Sequence, residues 1–142
     1  MNIQTDSQAA CFSTEEILIN ASVRKIFEIV ADIQQWPEWQ SDVSRTSVSG
    51  SIGVGATFKW KAGGLSIRSR LHTFSPSSEI GWTGRIAWIT AVHNWTFLEE
   101  NGRTRVIVEE TLKGLGSSFM LPGLKKGMIR NLRELKTRAE SN

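Results

Sequence analysis

The chain predicts an α+β domain: a curved seven-stranded antiparallel sheet around a long C-terminal helix, with two short helices after the first strand. Three observations lead there. From Val43 onward the sequence falls into short alternating segments broken by glycine. Before that meander, Pro37 interrupts a stretch of helical spacing. At the C-terminus one apolar stripe recurs every three or four residues up to Ala139.

The elements follow in order. Residues 1–10 are largely polar, with Asp6 their one charge, and are expected as a disordered tail; residues 11–142 are expected as a single domain. Residues 12–21 read as the first strand, ending in the pair Ile17 and Ile19. Ser22 is placed to cap a helix carrying Val23, Ile26, Phe27 and Val30. Pro37 stops that helix or divides it from a second short one bearing Trp39. Six strands then follow at 43–49, 56–61, 65–74, 79–83, 89–99 and 103–113, with turn-length gaps that imply an antiparallel meander. In the last segment Leu121, Leu124, Met128, Leu132, Leu135 and Ala139 form one stripe, and Pro122 suits a first helical turn. Gly123 and Gly127 weaken that helix start and permit a close approach, to the sheet or to a ligand.

Composition narrows the function classes. With 142 residues there is room for one domain, and 39% hydrophobic residues with six tryptophans supply a real core. No apolar run approaches the roughly 20 residues that span a bilayer. The start lacks a basic and apolar leader, and the one cysteine, Cys11, has no internal partner, so a cytoplasmic location is expected. The net charge of +3 sits on the final segment, where Lys125, Lys126, Arg130, Arg133, Lys136 and Arg138 face only Glu134 and Glu140. A solvated helix face explains it, and no nucleic-acid partner is expected; a patch for nucleic acid or anionic lipid is the alternative, and a protein working through this basic surface a further one. Monomer and homodimer both stay open. No Ser-His-Asp order, phosphate-cradling loop or dinucleotide fingerprint is present, and His72 and His93 have no third ligand, so neither cofactor nor metal is expected.

Hairpin geometry assigns faces. Asn101-Gly102 between two alternating strands is a two-residue turn signal, which sets Glu100 opposite Arg103, Phe97 opposite Val106, Trp95 opposite Val108 and His93 opposite Glu110. The six side chains of the last three pairs share the inner face, and Asn94, Thr96, Arg105, Glu109 and Thr111 share the outer one. The same alternation turns Phe58, Trp60, Ile67, Ser69, Leu71, Ile80 and Trp82 inward. Lys59, Lys61, Arg68, Arg70 and His72 turn outward, His72 as a surface histidine, although a register slip would set Arg68 and Arg70 at an entrance. Trp36 and Trp39 cover the rim of the sheet or touch a ligand near its mouth.

Several strings resemble a known family. They are Ile19-Asn20-Ala21, Val30-Ala31-Asp32-Ile33, Trp36-Pro37-Glu38-Trp39, Gly55-Ala56-Thr57-Phe58-Lys59-Trp60, Ile80-Gly81-Trp82-Thr83-Gly84, Ala91-Val92-His93-Asn94-Trp95 and the run from Thr104 to Gly114. In this order the chain from Cys11 onward resembles the START-like, or SRPBCC, superfamily of helix-grip folds, nearest its small bacterial polyketide cyclase/dehydrase-like branch. The resemblance implies a cavity between sheet and C-terminal helix, in a fold that serves transporters, binders and enzymes alike.

The expected function is to bind a small hydrophobic molecule, lipid-like or aromatic, in that cavity. Its expected lining is Phe58, Trp60, Ile67, Ser69, Leu71, Trp82, His93, Trp95, Phe97, Val108 and Glu110 from the sheet, with Leu124 and Met128 from the helix. An ordinary core does not need the carboxylate of Glu110 opposite the imidazole of His93. The pair braces the sheet, orients a ligand's hydroxyl or carbonyl, or, in the alternative of a cyclase, aromatase or dehydratase, moves a proton as the catalytic pair.

Overall fold

The computed structural model describes residues 3–141. Met1 and Asn2 of the expected tail, and Asn142 at the end of the expected domain, lie outside the described residues.

Seven strands form one antiparallel sheet: β1 (Cys11–Ile19), β2 (Val43–Ser49), β3 (Thr57–Ala62), β4 (Leu65–Ser75), β5 (Glu79–Ile86), β6 (Ile89–Glu100) and β7 (Arg103–Lys113). Their order across the sheet is β1-β7-β6-β5-β4-β3-β2, a meander closed at one edge by the first strand. The β6–β7 reversal turns on Asn101 and Gly102, both left-handed at φ 52° and 82°, where a glycine and an asparagine are the residues least strained. The resulting register sets Phe97 opposite Val106, Trp95 opposite Val108 and His93 opposite Glu110, as the turn signal predicts.

Helix α1 (Val23–Ala31) starts where the Ser22 hydroxyl accepts from the Lys25 amide at 3.2 Å. A short 3-10 turn, Ile33–Gln35, then leads into α2 (Trp36–Trp39), with Pro37 in its first turn, so proline divides two helices rather than ending one. Helix α3 (Leu121–Glu140) packs against β1, α1 and α2, and buries Met128, Leu132, Leu135 and Ala139. Trp36 anchors the core between them. It is buried, donates from Nε1 to the Val30 carbonyl at 3.0 Å, and meets Phe58, Trp60 and Trp82 at ring separations of 5.6, 5.1 and 5.2 Å. Trp36 is therefore core, not a rim cover.

The polar start of the chain is laid across the outer face of the sheet at Ile3 and Asp6, and one expectation on that face needs correction. The Asp6 amide donates to Thr111 Oγ1 at 2.8 Å, the Ile3 carbonyl accepts from Asn94 Nδ2 at 2.8 Å, and Asp6 pairs with Lys113 at 2.9 Å. Hydrogen bonding to Lys113, foremost, holds the Asp6 carboxyl below the usual carboxylate range. His72, expected as a surface histidine, lies on the outer face but is buried. A bulge between Leu71 and Thr73 sets it over Gly81, and its Nδ1 accepts from the Ile3 amide at 3.1 Å. A Cβ on Gly81 would come within 2.8 Å of the imidazole, so a glycine is needed beneath it.

Candidate functional site

The inner face is a stack of cross-strand rows. One row is made of small side chains: Ser69 on β4, Gly84 on β5 and Ala91 on β6, neighbours in the ladder. The next row carries Leu71, Trp82, His93, Glu110 and Ser13, one from each strand from β4 to β1. Above the small row, α3 presents Gly123 and Gly127, also without side chains. Two surfaces stripped of volume face one another, and close packing fails between them. The result is a cavity of about 400 Å³ between sheet and helix. The helix glycines thus mark space, where the sequence alone left a close approach to the sheet equally open.

Of the expected lining, Trp60, Ile67, Ser69, Trp82, His93, Glu110, Leu124 and Met128 surround this cavity. Phe58, Leu71, Trp95, Phe97 and Val108 do not line it. All five face inward, but they belong to the buried core, where Trp36 packs on Phe58 and Phe27 on Phe97. Alternation reports the face of a strand; the depth at which the covering helices fill it is a tertiary property. Leu65, Ile86, Ala91, Met120 and Asn131 are lining residues that the reading missed, with Asp42 and Arg130 beside them. Gly84 was missed because the fifth strand was expected to end at Thr83, whereas it runs to Ile86. A glycine on the inner face of a strand was the available signal.

His93 is the polar centre of the wall. Its ring stacks on Trp82 at 4.8 Å and 11° and on Trp95 at 5.7 Å and 22°, which fixes its plane. Its Nδ1 lies 2.9 Å from Glu110 Oε1, with both side chains largely buried. A carboxylate acceptor there keeps the proton on Nδ1 and turns Nε2 to other work. Nε2 is buried and has no protein partner among the described residues. Ser13 Oγ, next to Glu110 in the row, and Asp42 Oδ1 and Asn131 Oδ1 are likewise buried and unpartnered. The cavity is therefore apolar over most of its wall, with one nitrogen on the sheet side and two acceptor oxygens toward the helix. Such a wall can hold a flat apolar molecule by hydrogen bonds to its hydroxyl groups, and Nε2 can accept or return a proton.

Trp60 donates from Nε1 to Ser69 Oγ at 3.0 Å, so the serine oxygen serves as an acceptor there. Cys11 faces the same side, fully buried with Ile89, Ala91 and Leu112. Burial, helped by the Glu110 charge, pushes its thiol up, which suits packing and not nucleophilic chemistry. Arg68 and Arg70 stay on the outer face with Lys59, around a depression of about 830 Å³ that no helix lines. The entrance reading of these arginines is therefore not met. Among the described residues no group of histidine, cysteine and carboxylate side chains has the spacing of a metal site.

Comparison with known proteins supports the architecture. The chain superposes on protein jhp0584 of Helicobacter pylori with a TM-score of 0.87 and 13% identity, covering 94% of this chain and 90% of that one. A START superfamily protein of Mycobacterium smegmatis gives 0.74 and 14%, covering 91% and 97%. The aromatase/cyclase Zhui of Streptomyces sp. R1128 gives 0.76 and 13%, covering 91% and 93%. At such identities the likeness concerns the fold. No curated protein matches the sequence. Residues 11–140 match the family described as polyketide cyclase / dehydrase and lipid transport, and the chain belongs to that family.

Proposed function

We propose that the protein binds a small, mainly apolar molecule carrying at least one hydroxyl or carbonyl group, enclosed between the sheet and α3. One observation carries this reading: His93 Nε2 is buried, unpartnered and set in the wall of an apolar cavity by Glu110. Leaving a polar atom in that condition costs about 1–3 kcal/mol, a cost that a ligand hydroxyl or a trapped water removes. The volume lies in the lower part of the range of about 300–1,000 Å³ that encloses small organic ligands, which suits a few fused rings or a medium acyl chain. Native mass spectrometry of protein purified from its source cells tests the proposal. A non-covalent adduct that leaves on mild activation is expected; protein that emerges bare in every preparation would count against it.

A second reading rests on the same nitrogen. With Glu110 holding Nδ1, His93 could take a proton from one carbon or oxygen of a polyketide-like substrate and return it to another during ring closure or dehydration. Binding is preferred because the guanidinium that lines the cavity, Arg130, is already paired with Asp42. Two of the orphan oxygens, Asp42 Oδ1 and Asn131 Oδ1, can only accept.

A further inference from the structure

We propose that the end of the sheet bearing Trp88 and Leu115, together with Phe119, docks the protein on an anionic lipid surface with the cavity mouth turned toward the bilayer. Trp88 is 67% exposed, and Leu115 and Phe119 are each 88% exposed. Trp88 sits in the two-residue turn between β5 and β6, closed by the pair Ile86 and Ile89. The turn is held in an unfavourable conformation, because Ala87 adopts a left-handed φ of 53°. The Trp88 indole donates from Nε1 to the Leu115 carbonyl at 2.9 Å. Gly114, at φ +137°, is nested against the same turn, since a Cβ there would lie 3.1 Å from the Trp88 carbonyl and 2.8 Å from Ile89 Cδ1. The turn and the β7–α3 connection thus lock together and present their apolar side chains outward. A fold seeking only stability would bury them.

Position and charge say what they meet. Ile86 and Met120, close in sequence to Trp88 and Phe119, line the cavity, as does Leu65 in the neighbouring strand turn. The apolar tip therefore borders the mouth. Around it stand Lys61 and Arg85 at strand ends and Lys125 and Lys126 in the first turns of α3, none of them in an ion pair among the described residues. Asp6 and Asp42, at this end, are already paired with Lys113 and Arg130. A second copy related by a two-fold axis would bring these cations face to face. An anionic bilayer instead offers an apolar interior to Trp88, Leu115 and Phe119 and negative headgroups to the lysines and the arginine. An apolar insertion joined to a basic patch is the pairing that gives useful but reversible attachment. The exchange of ligand with the membrane rests on the cavity reading; docking itself does not.

The test is co-sedimentation of the full chain with vesicles. Phosphatidylcholine alone is compared with phosphatidylcholine containing about one-third phosphatidylglycerol, a charge density like that of anionic membranes. The wild type is expected to sediment with the anionic vesicles and to be released in part at about 0.5 M salt. Trp88→Ser with Phe119→Ser is expected to lower partitioning by about tenfold or more in a protein that still unfolds cooperatively, its melting temperature lowered only by the loss of the exposed Trp88–Leu115 hydrogen bond. A wild type that stays in the supernatant overturns the proposal, as does a double variant that binds like wild type. So does a wild-type dimer that Trp88→Ser dissociates, which would assign the tip to a second copy. Cavity occupancy, followed with N-phenyl-1-naphthylamine and no vesicles, is expected to survive both serine substitutions, so the two readings fail separately.

Discussion

Replacing His93 by phenylalanine is expected to destabilise the protein by about 2 kcal/mol and to weaken a hydroxyl-bearing ligand by roughly 10–100-fold. Phenylalanine keeps a ring between Trp82 and Trp95, so the stack that fixes this wall survives. It removes the donor that faces Glu110 and leaves a largely buried carboxylate without its partner. Adding Glu110→Leu is expected to restore most of the lost stability, because an apolar pair of similar volume replaces a buried hydrogen-bonded one at little cost. Urea unfolding of the wild type, both single variants and the double variant measures the coupling. If the double variant loses the sum of the two single losses, His93 and Glu110 do not support each other. The same substitution separates the two functional readings. A binder loses affinity for hydroxylated ligands and keeps it for their apolar analogues; a cyclase loses turnover by about 10²-fold or more.

Trp36→Ala is expected to cost about 3–5 kcal/mol, a large share of the roughly 5–15 kcal/mol that a domain of this kind has in total. The indole touches Phe58, Trp60 and Trp82 at once and satisfies the Val30 carbonyl, so its loss opens a void and orphans an acceptor. The effect reaches the site, because Trp60 and Trp82 both line the cavity and lean on Trp36. Thermal unfolding should therefore show a large fall in Tm, with Trp36→Phe falling less. An alanine variant as stable as the wild type would mean that α2 is not part of the core.

These two residues show what was legible before the structure. The His93–Glu110 pair followed from one turn dipeptide, because Asn101-Gly102 has few conformations available and each strand position beyond it is then counted off. Trp36 was visible as a large apolar residue beside Pro37, but whether it covered a rim or filled a core depended on which strands α2 meets. The cavity was illegible for a related reason. It is made by small or missing side chains at Gly84, Ala91, Gly123 and Gly127, which lie on separate elements and converge only after the sheet curves under α3. Trp88 gave no warning either, since the turn that holds it outward uses Ala87 where a glycine or asparagine would have signalled a reversal. On the outer face, the burial of His72 needed a bulge and a covering N-terminal segment, and neither follows from alternation.

The account rests on the space between Gly84 and Gly127, and a side chain placed there tests it most directly. Gly127 is in mid-helix, lines the cavity, and a Cβ on it would meet only Arg130 Nη2 at 3.8 Å. Leucine at this position should fold as well as glycine or better, since a helix gains about 1 kcal/mol from losing a glycine. The measurement is a fluorescence titration of wild type and Gly127→Leu with N-phenyl-1-naphthylamine, at matched melting temperatures. Saturable one-to-one binding by the wild type, abolished in Gly127→Leu, is the predicted result. A leucine variant that binds the probe as the wild type does, or a wild type that never saturates, would contradict it.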